Sequence, residues 1–412
     1  MPRKPRAYRP KTRGCFECSK RRVSCDRTEP QCKKCSSRGL QCSGLGIRHR
    51  FSQGVAARGF WVGKTIQEVY EEVSTHIACE MVAIDGQHNG WRHIVLPLAL
   101  SERLVLNAVL AASSFHLASW RTGERQAPLL SGHFRPSSSL SPGAVHATSG
   151  LRIEPAQMYI RTIMDLKKRD IRPHNREESL VTLLTILNLL VTVMVTGSDD
   201  FPMLFRLLDS AMEVIGGEGN LGDTELSRFI IRQICKMRVY AAPLLSEDAG
   251  VATLSSETNI MRAFECLRHC SERRPDFTAE ASIIQSLIQQ SYDIYLQQAR
   301  HDVLSDSSFC RPPSLHDTES IWRVQRFIDT FQSFPSESSG MQVLVWATFV
   351  AASACVLEEH RSFFLRVFHS FYARSGFKNL SRGAKHIQMI WDCDASGERW
   401  VSLLPQAKVF VM

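Results

Sequence analysis

The feature that most constrains the fold is a cluster of six cysteines near the N-terminus, in which one short unit occurs twice. Each unit is a Cys-x2-Cys pair followed by six residues and a third cysteine. Two thiolates of a Cys-x2-Cys pair can reach one metal from a single tight turn, and about a turn and a half of helix separates them from the third thiolate. The six cysteines are Cys15, Cys18, Cys25, Cys32, Cys35 and Cys42.

Six thiolates in this arrangement predict two zinc ions. A structural zinc site is almost always tetrahedral, so each ion needs four ligands, whereas each half of the cluster supplies three. The shortfall of one ligand per half closes if two sulfurs each bridge both ions. The pseudo-symmetry of the two halves assigns this bridging role to Cys15 and Cys32, so we expect two Zn²⁺ per chain.

Two other interpretations of the cysteines are less favoured. A disulfide knot is typical of secreted domains, but no apolar stretch follows the basic residues 1–10, so no secretory signal peptide is expected. A fold with two separate zinc sites needs eight ligands, and His49 is the only histidine in residues 1–65.

The charged residues are distributed along the chain as unevenly as the cysteines. Residues 1–60 contain 16 lysines and arginines against three acids, whereas the remaining residues contain 34 basic and 38 acidic groups. A small, strongly basic end on a mildly acidic body predicts a polyanionic partner for that end. The longest apolar stretch, residues 181–195, contains three threonines and an asparagine, so no membrane span is expected.

Residues 13–44, RGCFECSKRRVSCDRTEPQCKKCSSRGLQCSG, resemble the zinc binuclear cluster of fungal transcription factors, the Zn2Cys6 family. The resemblance implies a nuclear protein that binds double-stranded DNA by placing a helix in the major groove. It further implies that Arg21 and Arg22, three and four residues after the second cysteine, read CGG-like triplets. Further DNA contacts are expected from Lys20, Lys33, Lys34 and Arg13.

The helix expected after Cys18 is only about five residues long, so it depends on the cysteines at either end. Zinc binding would supply the folding free energy of a module that is too small for an apolar core. Ser19 and Ser24 replace residues that are usually basic in the family, which predicts lost phosphate contacts. These two serines give weight to an alternative function, a co-regulator that recruits partners through its body without reading DNA.

The sequence divides into four segments. We expect a basic disordered arm over residues 1–13, the DNA-binding cluster over 14–43, a flexible basic linker over 44–64 and a regulatory domain over 65–412. Residues at about 121–150 are expected to be either a disordered insertion or the product of a translated intron, and a second polar loop is expected at 305–320. The linker contains no heptad repeat, so a monomer and a homodimer through the body both remain open.

Hydrophobic residues at helical spacing, without any βαβ alternation, predict an all-α body. Residues 88–101, 113–120, 179–200 and 341–364 resemble the fungal-specific transcription factor domain. The resemblance implies a helical regulatory domain that works with the transcription machinery and contains no catalytic residues.

A search of the body for catalytic motifs predicts no enzyme. There is no Walker A lysine, no H-E-x-x-H and no G-x-S-x-G. Cys266, His269 and Cys270 lie on one helical face, but no fourth metal ligand is close in sequence. The sequence therefore favours a zinc-dependent, sequence-specific regulator of transcription by RNA polymerase II.

Overall fold

The computed structural model divides the chain into two compact units, Met1–Gly63 and Lys64–Met412, which are described separately below. The structure describes residues 15, 17–18, 21, 23–28, 31–40, 42, 71–121, 155–169, 175–305, 313–335, 338, 340–393 and 399–412. The predicted arm, the predicted linker and residues 122–150 of the predicted insertion lie outside the described residues.

The second unit is built from helices, and its described residues contain no strand. This confirms the all-α part of the predicted fold class, a small zinc-cluster module followed by an all-α domain. The main helices are α1 (Arg103–Arg121), α2 (Pro155–Lys167), α3 (Arg176–Thr196), α4 (Phe201–Ile215), α5 (Glu225–Leu245), α6 (Glu247–Leu254), α7 (Glu257–Ala263), α8 (Glu265–Arg273), α9 (Thr278–Ser305), α10 (Pro313–Gln332), α11 (Val345–Ser353), α12 (Glu358–Ser375) and α13 (Lys378–Cys393). Shorter helical turns span Val73–Ile77, Ala78–Glu80, Trp91–Val95, Leu96–Ala99, Glu218–Leu221, Pro275–Phe277, Met341–Leu344, Trp400–Leu403 and Leu404–Ala407.

Helix α3 is the centre of the domain and packs against α1, α4, α5 and α13. Asn175 caps its first turn by accepting a hydrogen bond from the Glu178 amide (3.2 Å). The helix ends at Gly197, whose φ of 66° closes the last turn. A side chain at Gly197 would also lie 3.1 Å from the Lys378 backbone, so this position requires glycine on two counts.

Among the described residues, α3 is the one helix long and apolar enough to cross a bilayer, but 94% of its most apolar window is buried within the protein. Its polar side chains bond within the helix. The Thr185 hydroxyl donates to the Val181 carbonyl (2.7 Å), and the Asn188 amide donates to the Leu184 carbonyl (2.7 Å). These residues therefore enter the core with partners for their polar atoms, and α3 is a core helix.

Aromatic side chains join the C-terminal helices to this core. Trp346 on α11 stacks on Tyr240 of α5 with ring centroids 4.9 Å apart. The Trp346 indole N–H donates to the Tyr240 carbonyl (2.8 Å), so the buried ring has a partner for its polar atom.

The predicted loop at 305–320 is wrong over its second half, because α10 begins at Pro313. Polar composition led to the loop assignment, but proline is well accommodated in the first turn of a helix, where its missing N–H is not needed. The regulatory domain, predicted to begin at residue 65, is described only from residue 71, and its first two short helical turns end at Glu80.

Candidate metal centre and nucleic-acid interface

Four of the six predicted metal ligands converge at one point in the N-terminal unit. The Cys15 sulfur lies 3.6 Å from the sulfurs of Cys32 and Cys35, and the Cys18 sulfur lies 3.6 Å from that of Cys32. All four side chains are buried, at 1% exposure or less. Every described cysteine is a free thiol, so within the described residues the structure gives no support to a disulfide knot.

The other two predicted ligands lie at the edge of this group. Cys25 and Cys42 are partly buried and pack against the four central cysteines. The Cys25 sulfur is within 4.8 Å of the Cys32 sulfur, and the Cys42 sulfur accepts a hydrogen bond from the Cys32 amide (3.4 Å). Cys32 thus contacts members of both halves of the motif, as a shared ligand must.

The backbone around each Cys-x2-Cys pair explains the convergence. The Cys18 amide donates to the Cys15 sulfur (3.4 Å), which makes the first pair a tight turn. In the second pair, Cys32 begins the short helix Lys33–Ser36, and its carbonyl accepts from the Cys35 amide (3.0 Å). Gly39, with a φ of 63°, then reverses the chain so that the Leu40 amide donates to the Cys35 carbonyl (3.0 Å).

Asp26 holds the short helix Lys33–Ser36 in place, a role that the sequence analysis missed. Its carboxylate accepts from the Thr28 hydroxyl (2.5 Å) and from the backbone amides of Lys33 (2.9 Å) and Lys34 (3.3 Å). The Thr28 hydrogen bond, followed by the backbone amides, lowers the pKa of Asp26 well below its usual range. Although this carboxylate lies near Cys25 and Cys32, its oxygens are already engaged, so it acts as a helix cap and not as a metal ligand.

The donor set fits zinc. Enclosure by the surrounding atoms raises the pKa of the Cys15, Cys18, Cys32 and Cys35 thiols, so without a cation these sulfurs would keep their protons. Zinc requires thiolates and displaces those protons when it binds, so such a group of thiols is stable in the charged form only with the metal. Soft sulfur ligands in a compact group are what structural zinc sites use.

Among the predicted DNA contacts, the structure describes Arg21, Lys33 and Lys34. The Arg21 guanidinium donates to the Lys34 carbonyl (3.2 Å) and lies 3.7 Å from the sulfurs of Cys18 and Cys35. Arg21 is half-buried, whereas Lys33 and Lys34 are exposed. Arg13, Lys20 and Arg22 lie outside the described residues.

Arg21 therefore has a contact that its proposed role as a base reader did not predict. Its cation lies beside two cluster sulfurs, where it offsets the negative charge that thiolates would have. Its position three residues after Cys18, on the same helical turn, is the sequence signal that could have indicated this contact.

A compact group of thiols beside basic residues, joined to a helical domain, defines the class of zinc-cluster regulators that bind DNA. Comparison with known families agrees. The profile of the Fungal Zn(2)-Cys(6) binuclear cluster domain matches residues 13–50, and that of the Fungal specific transcription factor domain matches residues 73–242 and 230–412. The chain belongs to this family of fungal transcription factors.

One curated relative shares the cluster. A segment of 42 residues is 43% identical to the acriflavine sensitivity control protein acr-2 of Neurospora crassa. The match covers 10% of this chain and 7% of that protein, so it concerns the cluster module alone. No solved structure matches the chain.

Membership of this family settles the general function. The protein is a DNA-binding, zinc-binding regulator of transcription, and its cluster holds two zinc ions. Both matched families are transcription-factor domains and not enzymes, in agreement with the lack of catalytic motifs.

Proposed function

We propose that this protein recognises CGG-like triplets in the DNA major groove through Arg21 and Arg22. Arginine that donates two hydrogen bonds to guanine O6 and N7 is the commonest specific base contact, and neighbouring arginines can read neighbouring guanines. The segment that carries them lies between the proposed zinc ligands Cys18 and Cys25, so bound zinc would hold its backbone rigid. To donate to guanine, the Arg21 guanidinium exchanges its hydrogen bond to the Lys34 carbonyl (3.2 Å) for one to the base.

The observation that carries this proposal is the hydrogen bond from Arg21 to the Lys34 carbonyl (3.2 Å). It joins the side chain of Arg21 to the backbone of Lys34, whose own side chain and that of Lys33 are exposed. Basic side chains from both halves of the motif are thus grouped together, which supports phosphate contacts by Lys33 and Lys34 next to the base readers. Lys20 and Arg13 would add further phosphate contacts.

The proposed zinc ligands are all six cysteines of the motif, with Cys15 and Cys32 as bridges. The close approach of the Cys15 and Cys32 sulfurs (3.6 Å) supports this assignment, because both must touch both ions. We also propose the domain order given by the sequence: arm 1–13, cluster 14–43, linker 44–64 and regulatory domain 65–412, in a protein that works in the nucleus.

Sequence selection on the full-length, zinc-loaded protein tests the proposal. A random duplex library enriched at about 150 mM salt reports the triplet, and the spacing between enriched triplets distinguishes a monomer from a homodimer. We expect CGG-like triplets in the enriched pool. A pool without any enriched motif would reject the proposal and favour the co-regulator that recruits partners through its helical body.

A further inference from the structure

The helical domain contains a cavity that the DNA-binding function does not use. It encloses about 50 Å³ and lies between helices α5, α8 and α9 and the segment Met81–Ala83. Since one water occupies roughly 10–15 Å³ of such space, the cavity has room for about four water-sized groups.

One face of α5 forms the polar wall of this cavity. Arg232, Gln233 and Lys236 lie three and four residues apart, so their side chains are neighbours on the helix. Phe229 and Tyr240 continue the same face at either end. A short stripe of polar groups is therefore flanked by aromatic rings, as in a site for a small molecule with one polar end.

The charges that line the cavity are positive. Arg232 and Lys236 both contribute to the lining, and no aspartate or glutamate does. Lys236 is only 8% exposed, and its ammonium reaches the Met81 carbonyl at 3.5 Å. Over the part of the chain that the structure describes, neither cation forms an ion pair with a carboxylate, although a buried cation is costly without an anion.

The carboxylate of Glu80 is not an ion-pair partner of Lys236. Glu80 and Lys236 both line a smaller adjoining cavity of about 40 Å³. Arg374, however, donates two hydrogen bonds to one Glu80 oxygen and one to the other, at 3.1–3.3 Å. The Glu80 charge is therefore balanced by Arg374, and Lys236 is left for another anion.

Two buried hydrogen-bond acceptors also line the cavity without partners. Gln233 is 4% exposed and its Oε1 has no hydrogen bond, while its Nε2 contacts the Cys266 sulfur (3.5 Å). His88 bonds to the backbone of Ile84, and its buried Nε2 has no partner. Because such atoms are costly when unsatisfied, a ligand here gains by bringing a donor group.

The two histidines that line the cavity, His88 and His269, favour the neutral state. Burial, with nearby arginines, lowers the pKa of His88 and His269. His88 therefore keeps one N–H, used towards Ile84, and presents Nε2 as an acceptor. Cys266, His269 and Cys270, which the sequence places on one helical face, all line this cavity, but the described residues bring no three metal ligands together there.

We propose that this cavity binds a small hydroxy acid, a carboxylate of three or four carbons with a hydroxyl group. The carboxylate pairs with Lys236 and Arg232, the hydroxyl donates to Oε1 of Gln233, and the carbon skeleton packs against Phe264, Leu267 and Ile288. Chloride lacks both a donor and an apolar part, and hydrogen phosphate, although its P–OH groups can donate, has no apolar part, so both are poor occupants. The site lies wholly within the helical domain, so it does not depend on how the cluster reads DNA.

Isothermal titration calorimetry on the full-length, zinc-loaded protein tests this site, with lactate and 3-hydroxybutyrate as probes and butyrate as the matched acid without a hydroxyl. We expect millimolar binding of a hydroxy acid and roughly fivefold to tenfold weaker binding of butyrate, since one hydrogen bond is lost. Absence of binding by both hydroxy acids at about 20 mM, or equal binding of 3-hydroxybutyrate and butyrate, would overturn the proposal.

Three variants locate the binding. Lys236→Met removes the cation but keeps the length of the side chain, and should weaken every acid by at least about tenfold. Gln233→Leu should reduce the preference for 3-hydroxybutyrate over butyrate. Lys385→Met, at an exposed position of α13, is the matched control and should bind as the wild type does. If Lys236→Met bound the acids as tightly as the wild type does, the site would be disproved. If Lys236→Met does not fold, an unchanged preference of Gln233→Leu for 3-hydroxybutyrate over butyrate would disprove it instead.

Discussion

The ring of His116 lies between two acceptors, with Nδ1 2.5 Å from a carboxylate oxygen of Glu72 and Nε2 2.6 Å from the Ser375 carbonyl. His116 is fully buried and Glu72 is 7% exposed. The buried ring therefore has a hydrogen-bond partner at each of its nitrogens, and the other Glu72 oxygen lies 3.8 Å from Nε2 of His76. It joins α1 to the first described turn of the domain and to the end of α12.

Replacement of His116 by leucine should destabilise the domain by about 3 kcal/mol, because it removes the hydrogen-bond partner of two buried groups, the Glu72 carboxyl and the Ser375 carbonyl. The double variant Glu72→Gln with His116→Leu should lose less, since the buried carboxyl is then removed as well. Chemical denaturation of the full-length protein measures both values.

The control for this prediction is His369→Gln, an exposed position on α12. It should change the free energy of unfolding by no more than about 0.5 kcal/mol. If His116→Leu were as mild as His369→Gln, these two buried hydrogen bonds would not contribute to stability.

The distances along the chain explain why this contact could not be predicted. Glu72 and Ser375 are 44 and 259 residues from His116, and nothing in the local pattern of any of them indicates the others. The cysteine cluster is the opposite case, because its ligands fall within residues 15–42 and their spacing alone implies a shared centre. Helices with regular apolar spacing, such as α4 with its stop at Gly216, were also predictable.

The sequence predicts which residues of α8 lie together at the cavity between α5 and α8, but not that α5 faces them. Helical periodicity places Cys266, His269 and Cys270 on one face, but it cannot say which other helix that face meets. The pairing of α8 with α5 depends on the tertiary packing of the whole domain, and so does the burial of Lys236. Asp26 was missed for a related reason, since the backbone amide that it caps belongs to Lys33, seven residues further along the chain.

The pH dependence of stability should include a contribution from His386 on α13. Burial lowers the pKa of His386, whose Nε2 hydrogen-bonds to the Leu403 carbonyl (2.9 Å). As the pH falls below the ordinary histidine value of about 6.5, the unfolded chain takes up this proton before the folded chain does. The contribution is therefore fully present above about pH 6.5 and is lost as the pH falls towards the folded pKa.

Thermal unfolding between about pH 7.5 and 5.5 checks this sign. His386→Gln keeps a donor for Leu403 but cannot titrate, so its unfolding free energy should fall less steeply, by at most about 1.4 kcal/mol per pH unit. His93→Gln, at an exposed position, should follow the wild-type curve. A parallel slope for His386→Gln and the wild type would contradict the prediction.

The proposed bridging roles predict unequal effects of cysteine substitutions on zinc content. Native mass spectrometry should find two zinc ions on the wild-type chain. Cys15→Ser and Cys32→Ser should lose both ions, because each bridging sulfur serves both sites, whereas Cys42→Ser should keep at least one.

Cys79→Ser is the matched control. The Cys79 thiol lies in the helical domain and donates to the Thr75 carbonyl (3.0 Å), a contact that serine preserves. It should keep two zinc ions. Two ions retained by Cys15→Ser would rule out Cys15 as a bridge, and one ion on the wild type would rule out the two-zinc assignment of these residues.

Two arginine variants of the full-length protein should distinguish sequence-specific base reading from non-specific attraction to the phosphates. Arg22→Ala should lose about 1–3 kcal/mol of preference for a CGG duplex over a scrambled one, because a base contact is removed. Arg6→Ala, in the basic arm, should weaken binding to both duplexes equally and reduce the salt dependence by about one counterion, because a phosphate contact is not sequence-specific.

Fluorescence anisotropy titrations at several salt concentrations, one of them about 150 mM, measure both effects. Equal binding of both duplexes by the wild type, or an unchanged preference in Arg22→Ala, would show that Arg22 does not read the bases.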